Sequence, residues 1–383
     1  MLGKLSMKSL PSLILALLMG PTLVGCASQM VTQDVEEFVY PKAPDAPRFY
    51  WQKMLLGSQS VEHETEESRI QRFITGTTAE SRGLSKPFGI AVHRGRIFVS
   101  DPPARDVLMF DPHQYRFKSL SADPNVTLMK PFGLEVADDG TLYVLDQTLK
   151  DIKVFNREGN WLRTLSLDAP LEMPTDLALS PDGRSVFVSE TGKVDNQNHV
   201  IYRFDATSGE LLDTLGSRGK GEMEFNFPKG IDIDEDNKLY VVDSGNFRVQ
   251  VIDLEARTLV HTFGQVGRTF GSFSRPKDIA VDGEGRIYVT DAAFGNVQIF
   301  NQQGQLLMFI GERGGELRPG VFMLNSGIDV DEDGRILMAD QFFRKVDIFR
   351  PVAVAEDQGF LGERLPISDD EYRALKQKLD SDD

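Results

Sequence analysis

Residues 238–243 read KLYVVD and residues 286–291 read RIYVTD. The phrase returns as RIFVSD (96–101), TLYVLD (141–146), SVFVSE (185–190) and RILMAD (335–340). Six near-copies of one apolar hexapeptide, each ending in a carboxylate, decide the architecture, because self-similarity at a steady period marks a repeat fold. Upstream of each copy stands a turn and a second apolar run: KPFGIAV from Lys86, KPFGLEV from Lys130, MPTDLAL from Met173, FPKGIDI from Phe227, RPKDIAV from Arg275 and LNSGIDV from Leu324. Counted from the proline, or from Asn325 in the last copy, the units begin at 87, 131, 174, 228, 276 and 325, spacings of 44, 43, 54, 48 and 49 residues.

Downstream of the carboxylate comes a third alternating run (DVLMF, DIKVF, VIYRF, RVQVI, NVQIF, KVDIF). After an Asp-, Asn- and Gly-rich turn a fourth follows, as in NWLRTL (160–165) or QLLMFI (305–310). Runs of four to six residues with period-two alternation and breakers between them are strands. Four short antiparallel strands per unit describe a propeller blade, and six such blades close a ring. The fold class is therefore all-β, a six-bladed β-propeller of four-stranded antiparallel blades with short accessory helices. The sixth unit lacks a fourth strand, since KVDIFRP (345–351) runs into VAVAEDQG. FYWQKMLL (49–56) supplies one from the N-terminal side, closing the ring and covering the edge that blade 6 would otherwise expose.

The succession P-x-G-I-A-V, G-x-I-Y-V-x-D and V-x-I-F resembles the NHL repeat of six-bladed propellers over roughly residues 49–352. Blade 3 departs most, with Glu190 for Asp and a longer loop, TGKVDNQNH (191–199).

The N-terminus reads differently. Lys4 and Lys8 precede an apolar run, LPSLILALLMGPTLV (10–24), broken by Pro11, Gly20 and Pro21. It is too short to span a bilayer and suits the core of a signal peptide. It ends in LVGC (23–26), which is similar to the lipobox of bacterial lipoproteins; that resemblance implies a lipidated Cys26 as the first mature residue. Cys26 is the only cysteine, so an internal disulfide is excluded. Two acyl chains already hold a protein on a membrane durably. Ala27 rather than Asp follows the cysteine, which in that family implies the outer membrane. The expected organisation is a leader (1–25), a polar, proline-rich tether (26–48), the propeller (49–353, with a helical or loop insertion at 59–85) and a tail (354–383). In the tail Ser368 caps a short helix. The expected location is the bacterial envelope, with the outer membrane facing the periplasm and contact with the membrane through Cys26.

Formal net charge is −16, and −18 once Lys4 and Lys8 leave with the signal. Such an acidic body argues against nucleic acid as a partner.

In a propeller the turn before the innermost strand and the turn after the second strand open on one face. Asp101, Asp146, Glu190, Asp243, Asp291 and Asp340 should therefore ring that face as structural turn caps, accepting N–H groups of the following turn. The turns beside them differ from blade to blade, and variable turns are where a repeat protein carries specificity. Phe88 and Phe132 open the first two inner strands, whereas Lys229 and Lys277 take that place in blades 4 and 5. Phe247, Arg248, Phe294, Phe342, Phe343 and Arg344 follow the acids. Aromatics beside cations suit a partner-binding face for an envelope protein, peptide or glycan. The same phenylalanines could equally pack between blades.

The inner strands alternate small and acidic residues at one position: Ala91, Glu135, Ala178, Asp232, Ala280 and Asp329. Glu135, Asp232 and Asp329 fall on every second blade, roughly 120° apart in a six-bladed ring. They either converge on a divalent cation such as calcium or line a wet channel, each paired with a backbone N–H. Of five histidines (His63, His93, His113, His199, His261), only His199 falls near the candidate face, too few for a zinc site or an acid–base pair. No serine-nucleophile motif or phosphate-binding glycine loop is present. The residues favour a non-catalytic binding platform. The alternative is a metal-dependent hydrolase or lactonase, or a lyase, using the channel carboxylates. It draws on the resemblance to six-bladed lactonases and NHL-type lyases.

Overall fold

The computed structural model describes residues 38–75, 81–364 and 366–382. It is an all-β ring of six antiparallel blades, five of four strands and one of five. Blade 1 runs through Ile90–His93, Arg96–Asp101, Asp106–Asp111 and Arg116–Ser119, from the channel outward. Blade 6 comprises Asn325–Val330, Ile336–Asp340 and Lys345–Pro351, and is completed by Phe49–Leu55 in antiparallel register, Leu55 opposite Val346 and Phe49 opposite Pro351. The N-terminal strand thus locks the ring.

Residues 38–48 fall within the expected tether, yet the first three of them, Phe38 to Tyr40, pack on the propeller, while residues 42–48 are exposed. Val39–Tyr40 adds a fifth strand outside Phe49–Leu55, and Tyr40 is buried edge-on against Phe349, ring centroids 5.5 Å apart. Phe38 and Tyr40 are apolar surface that a solvated spacer would leave in water, so that portion docks. Cys26 and the leader lie outside the described residues. In the insertion, helix α1 spans Glu66–Thr75, with Thr65 Oγ1 accepting the Ser68 N–H. In the tail, helix α2 spans Asp369–Asp382. Ser368 Oγ accepts the Glu371 N–H while Glu371 accepts the Ser368 N–H, a capping box. The two accessories meet where His63 Nε2 lies 2.9 Å from Asp369 Oδ1. No described helix is long and apolar enough to cross a membrane.

The core lies between blades. Among the described residues six apolar clusters form, each drawn from two neighbouring blades. Within RIFVSD, Ile97 and Val99 face blade 6 and Phe98 faces blade 2. Both faces of each blade's second strand are covered, which is why RIFVSD and its counterparts are apolar without alternation through their middle. The outermost strands, such as Trp161–Ser166 and Thr258–Phe263, instead alternate exposed residues with buried or half-buried ones. A belt of side-chain hydrogen bonds near one end of the channel stitches the same six junctions. Ser100 donates to Phe132 O (2.7 Å), Gln147 to Pro174 O (3.0 Å) and Thr191 to Pro228 O (2.6 Å). Ser244 donates to Pro276 O (2.9 Å), Thr290 to Ser326 O (3.0 Å) and Ser326 to Pro87 O (3.0 Å). Every junction has one such bond, so the inner strands are held in register around the axis.

Candidate functional site, a channel with unlike ends

The six strand-end carboxylates are buried and hold the turns of one face. Asp101 accepts the N–H groups of Ser85 and Lys86; Asp146 accepts those of Met129 and Lys130, plus Thr148 and Leu149. Glu190 takes Glu172, Met173 and Gly192. Asp291 takes Ser274 and Arg275, and Asp340 takes Met323 and Leu324. Asp243 accepts from Asn226 N and from Arg248 Nε, both within 2.8 Å. The partners common to all six belong to the segment leading into the same blade's inner strand, so each acid ties a blade's second strand to its first. The turn-cap expectation is thereby adjusted: the lead-in segment is the shared partner, and bonds to the following turn are additional where they occur.

Two levels of acids line the channel. Two residues after the proline position stand Gly89, Gly133, Asp176, Gly230, Asp278 and Gly327; two further on stand Ala91, Glu135, Ala178, Asp232, Ala280 and Asp329. Blades 2 to 6 each contribute one acid, on alternating levels, and blade 1 contributes none. Most of these acids reach across to the next blade. Asp176 Oδ2 accepts the Ile231 N–H and Asp278 Oδ2 that of Ile328, each at 3.0 Å. Asp232 Oδ2 accepts from Val281 (2.6 Å) and Asp329 Oδ2 from Val92 (2.7 Å), while their Oδ1 atoms accept from Ile233 and Val330. Glycine makes the upper level possible. A Cβ on Gly230 would sit 2.4 Å from Asp278 Oδ1 and 2.6 Å from its Cα; Gly133 stands in the same relation to Asp176.

Burial, then repulsion from Asp232 and Asp329, holds the Glu135 carboxyl well above the usual range. Burial, then Asp278, does the same to Asp176, and burial first of all to Asp329. Asp232 and Asp278 are pushed up to about 7 by burial, against the pull of their backbone hydrogen bonds. The acids face a central cavity of about 620 Å³ that continues to the hairpin-turn face, where Asp138, Glu235, Asp282 and Glu332 rim it. His93 lies there, 3.9 Å from Glu332.

Glu135, Asp232 and Asp329 thus share one cavity, but they do not assemble a cation cage. Both oxygens of Asp232 and of Asp329 already accept backbone N–H groups, and among the described residues no three His, Cys, Asp or Glu side chains gather as a metal-holding group. The donor set does not fit a bound calcium ion.

The opposite end is built from the residue just after each proline position: Phe88, Phe132, Thr175, Lys229, Lys277 and Ser326. None of them lines the acidic cavity. Phe88 and Phe132 pack with ring centroids 4.1 Å apart, and Lys130 Nζ lies 5.0 Å over Phe132. Lys229 and Lys277 are half-buried, and among the described residues neither has a hydrogen-bond or ion-pair partner. Burial, then Lys277 and Arg275, lowers Lys229 to about 8; burial, then Arg275 and Lys86, lowers Lys277.

The remaining loop residues separate. Phe247 packs into the blade 4–5 core. Arg248 is committed to Asp243 and to the carbonyls of Gly221 and Glu224, so it is a structural cation rather than a free one. Phe294 is half-buried, 6.3 Å from Phe270. Phe342 is 57% exposed and meets Phe343 edge-on at 5.0 Å, beside exposed Arg344. His199 is buried and accepts or donates only to backbone, at Lys193 O and Phe227 N. Sequence reasoning passed over Asp176 and Asp278. Their signal was present, since PTDL and PKDI break the P-x-G pattern of the other blades.

A family model described as the SMP-30/Gluconolactonase/LRE-like region matches residues 88–311. The chain belongs to this family. No curated protein matches it in sequence. Solved structures with the same fold include a gluconolactonase from Xanthomonas campestris, at 16% identity and TM-score 0.53, covering 70% of this chain and 86% of that one. The hydrazine synthase of Kuenenia stuttgartiensis follows at 13% and 0.52, covering 72% and 98%. A Bacteroides thetaiotaomicron protein of unknown function aligns at 15% and 0.57, covering 78% and 75%. At such identities the likeness shows the propeller alone.

Proposed function

We propose that this SMP-30/gluconolactonase-family propeller is a lipid-anchored binding platform of the bacterial envelope, engaging a protein, peptide or glycan through the Phe88–Lys229 end of its channel. One observation carries the reading. Four of the five channel acids are spent on backbone N–H groups of neighbouring blades, whereas the opposite end offers a half-buried aromatic pair and two lysines, Lys229 and Lys277, with no hydrogen-bond or ion-pair partner among the described residues. The lipobox LVGC supports anchoring through Cys26 at the outer membrane, and the P-x-G-I-A-V succession supports an NHL-type repeat. Labelling cells with radioactive palmitate tests the anchor: incorporation is expected in the native chain and none in Cys26→Ala. A photocrosslinking residue at Phe342, compared with one on the outer strand at Thr258, tests the face. A discrete adduct from position 342 alone is expected, and equal capture from both positions would refute the assignment.

Family membership favours a second reading, in which the channel hydrolyses or eliminates a lactone-type substrate. Its test is turnover of sugar lactones with and without added calcium. Turnover abolished by Glu135→Gln would displace the platform.

A further inference from the structure

The Phe88–Lys229 end has an internal order that a general interaction surface would not need. Around the ring the six positions run Phe88, Phe132, Thr175, Lys229, Lys277, Ser326 in blade order. In a six-bladed ring blades 1 and 2 stand diametrically opposite blades 4 and 5. The two aromatics therefore face the two lysines across the axis, with a small hydroxyl residue on each side between them. The hydroxyls of Thr175 and Ser326 are turned to Thr191 and to Pro87 O, so they shape the mouth without filling it.

The two halves differ in chemistry. On one side the Phe88 and Phe132 rings form a tilted pair at 4.1 Å, half-buried, with Lys130 over the Phe132 face. On the other, Lys229 and Lys277 occupy the same position on adjacent blades, and like charge from Lys277 and Arg275 on the first and from Arg275 and Lys86 on the second disfavours their charged forms. The chain is strongly acidic as a whole, yet no carboxylate among the described residues pairs with either lysine, and the six strand-end acids of this face are buried on turn N–H groups. Half-buried, mutually repelling, unpaired cations are costly unless an anion is supplied from outside.

We propose that this mouth is a two-part binding site for a carboxylate-bearing small molecule or side group with a flat apolar body. The carboxylate bridges Lys229 and Lys277, and the body lies against Phe88 and Phe132. This rests on the platform reading and deepens it by naming the chemistry that its face recognises. The lysines supply charge-assisted hydrogen bonds in a partly desolvated setting, and the rings supply apolar area and stacking. Neither half selects without the other, since an anion alone leaves the rings bare and a neutral ring leaves the lysines uncompensated.

The test uses the full-length protein in detergent, with benzoate, benzyl alcohol and inorganic phosphate as probes, read by calorimetry. Benzoate is expected to bind, and both Lys229→Gln and Lys277→Gln should weaken it about ten-fold or more, the scale of one charge-assisted hydrogen bond. Phe132→Leu should weaken benzoate and leave phosphate unchanged, and Lys42→Gln, a control at an exposed lysine, should change nothing. Equal binding of benzoate and benzyl alcohol, or benzoate affinity indifferent to both lysine substitutions, overturns the proposal. So does phosphate binding as tightly as benzoate. A second measurement stands apart from affinity: benzoate should protect Lys229 from acylation at mildly alkaline pH and leave Lys42 reactive, and equal protection or none would overturn the assignment. If benzoate binds while crosslinking from Phe342 finds no partner, the platform fails and the site survives. A discrete crosslink without benzoate binding has the reverse meaning.

Discussion

The two ends of the channel solve the problem of polar groups in a confined space in opposite ways. At the hairpin-turn end the acids are neutralised from within. Asp176, Asp232, Asp278 and Asp329 each take a backbone N–H from the next blade, and burial favours their protonated forms. At the other end the cations have no internal answer, and Lys229 and Lys277 stand without partners among the described residues. A polar group satisfied by its own fold is part of the architecture, whereas one left unsatisfied points to something outside the chain. On that criterion the acids, more numerous and deeper, form a girdle, and two lysines are the better functional lead.

The sharpest way to break this comparison is to attack the girdle's geometry. Gly230→Ala places a methyl 2.4 Å from Asp278 Oδ1 and 2.6 Å from Asp278 Cα, so backbone as well as side chain must shift. The expected cost is about 3 kcal/mol, the upper range for overpacking, read by denaturant unfolding. Adding Asp278→Gly should recover only part of it, since the backbone at position 278 still stands in the way. Full recovery would mean that the carboxylate alone sets the spacing.

The next effect is a pH dependence. Asp232 and Asp278 have folded-state values near 7 against an ordinary aspartate value of 3.8. A carboxyl whose folded value is raised stabilises fully below its unfolded value, and that contribution is lost as pH rises through the folded one. Stability should therefore fall between about pH 4 and about pH 7, by roughly 2–4 kcal/mol for the interacting acids together. Asp278→Asn should flatten the slope. A protein equally stable at both ends of that window would show the acids to be ionised and compensated in some other way.

Much of this was legible in the sequence. The six repeats, their strand order and the closing strand at Phe49–Leu55 follow from period-two runs and turn residues, because propeller blades are locally encoded. The docking of Tyr40 was not legible, since a two-residue strand carries no periodicity and its burial depends on Phe349, roughly 300 residues away. Glu135, Asp232 and Asp329 were visible as a three-fold pattern, but the commitment of Asp232 and Asp329 to the Val281 and Val92 N–H groups was not, because inter-blade hydrogen bonds depend on ring geometry. Asp176 and Asp278 were visible as departures from the P-x-G succession, but their place in the channel was not, because it depends on their reaching the Ile231 and Ile328 N–H groups of the next blade. Arg248 looked like an interface residue and proved to be bound to Asp243, a distinction only the folded geometry provides.

A smaller effect should appear at the lysine end. A base whose folded value is lowered costs stability while it is charged, and Lys229 is charged below about 8. Lys229→Gln should therefore stabilise the free protein at neutral pH by about 1 kcal/mol, discounted for its partial exposure to water. The gain should shrink as pH rises above 8, where the native lysine sheds its proton. Destabilisation instead would reveal an internal partner for Lys229 and remove the asymmetry between the two ends.

The smallest expected effect is that of calcium. A cation held by Glu135, Asp232 and Asp329 at a concentration about a hundred times its dissociation constant would raise stability by about 2.7 kcal/mol, because it binds the folded ring alone. The girdle leaves little for it to bind. Asp232 and Asp329 have both oxygens on backbone N–H groups, and a cation would have to break these bonds and strip protons from acids with raised values before gaining any coordination. Millimolar calcium is therefore expected to leave the melting temperature unmoved at neutral pH. Only a modest shift is expected in mild alkali, where the acids ionise and repulsion rather than hydrogen bonding governs the cavity. A large shift at neutral pH, lost in Asp329→Asn, would reverse the assignment of the two ends and make the acidic cavity the place where this propeller works.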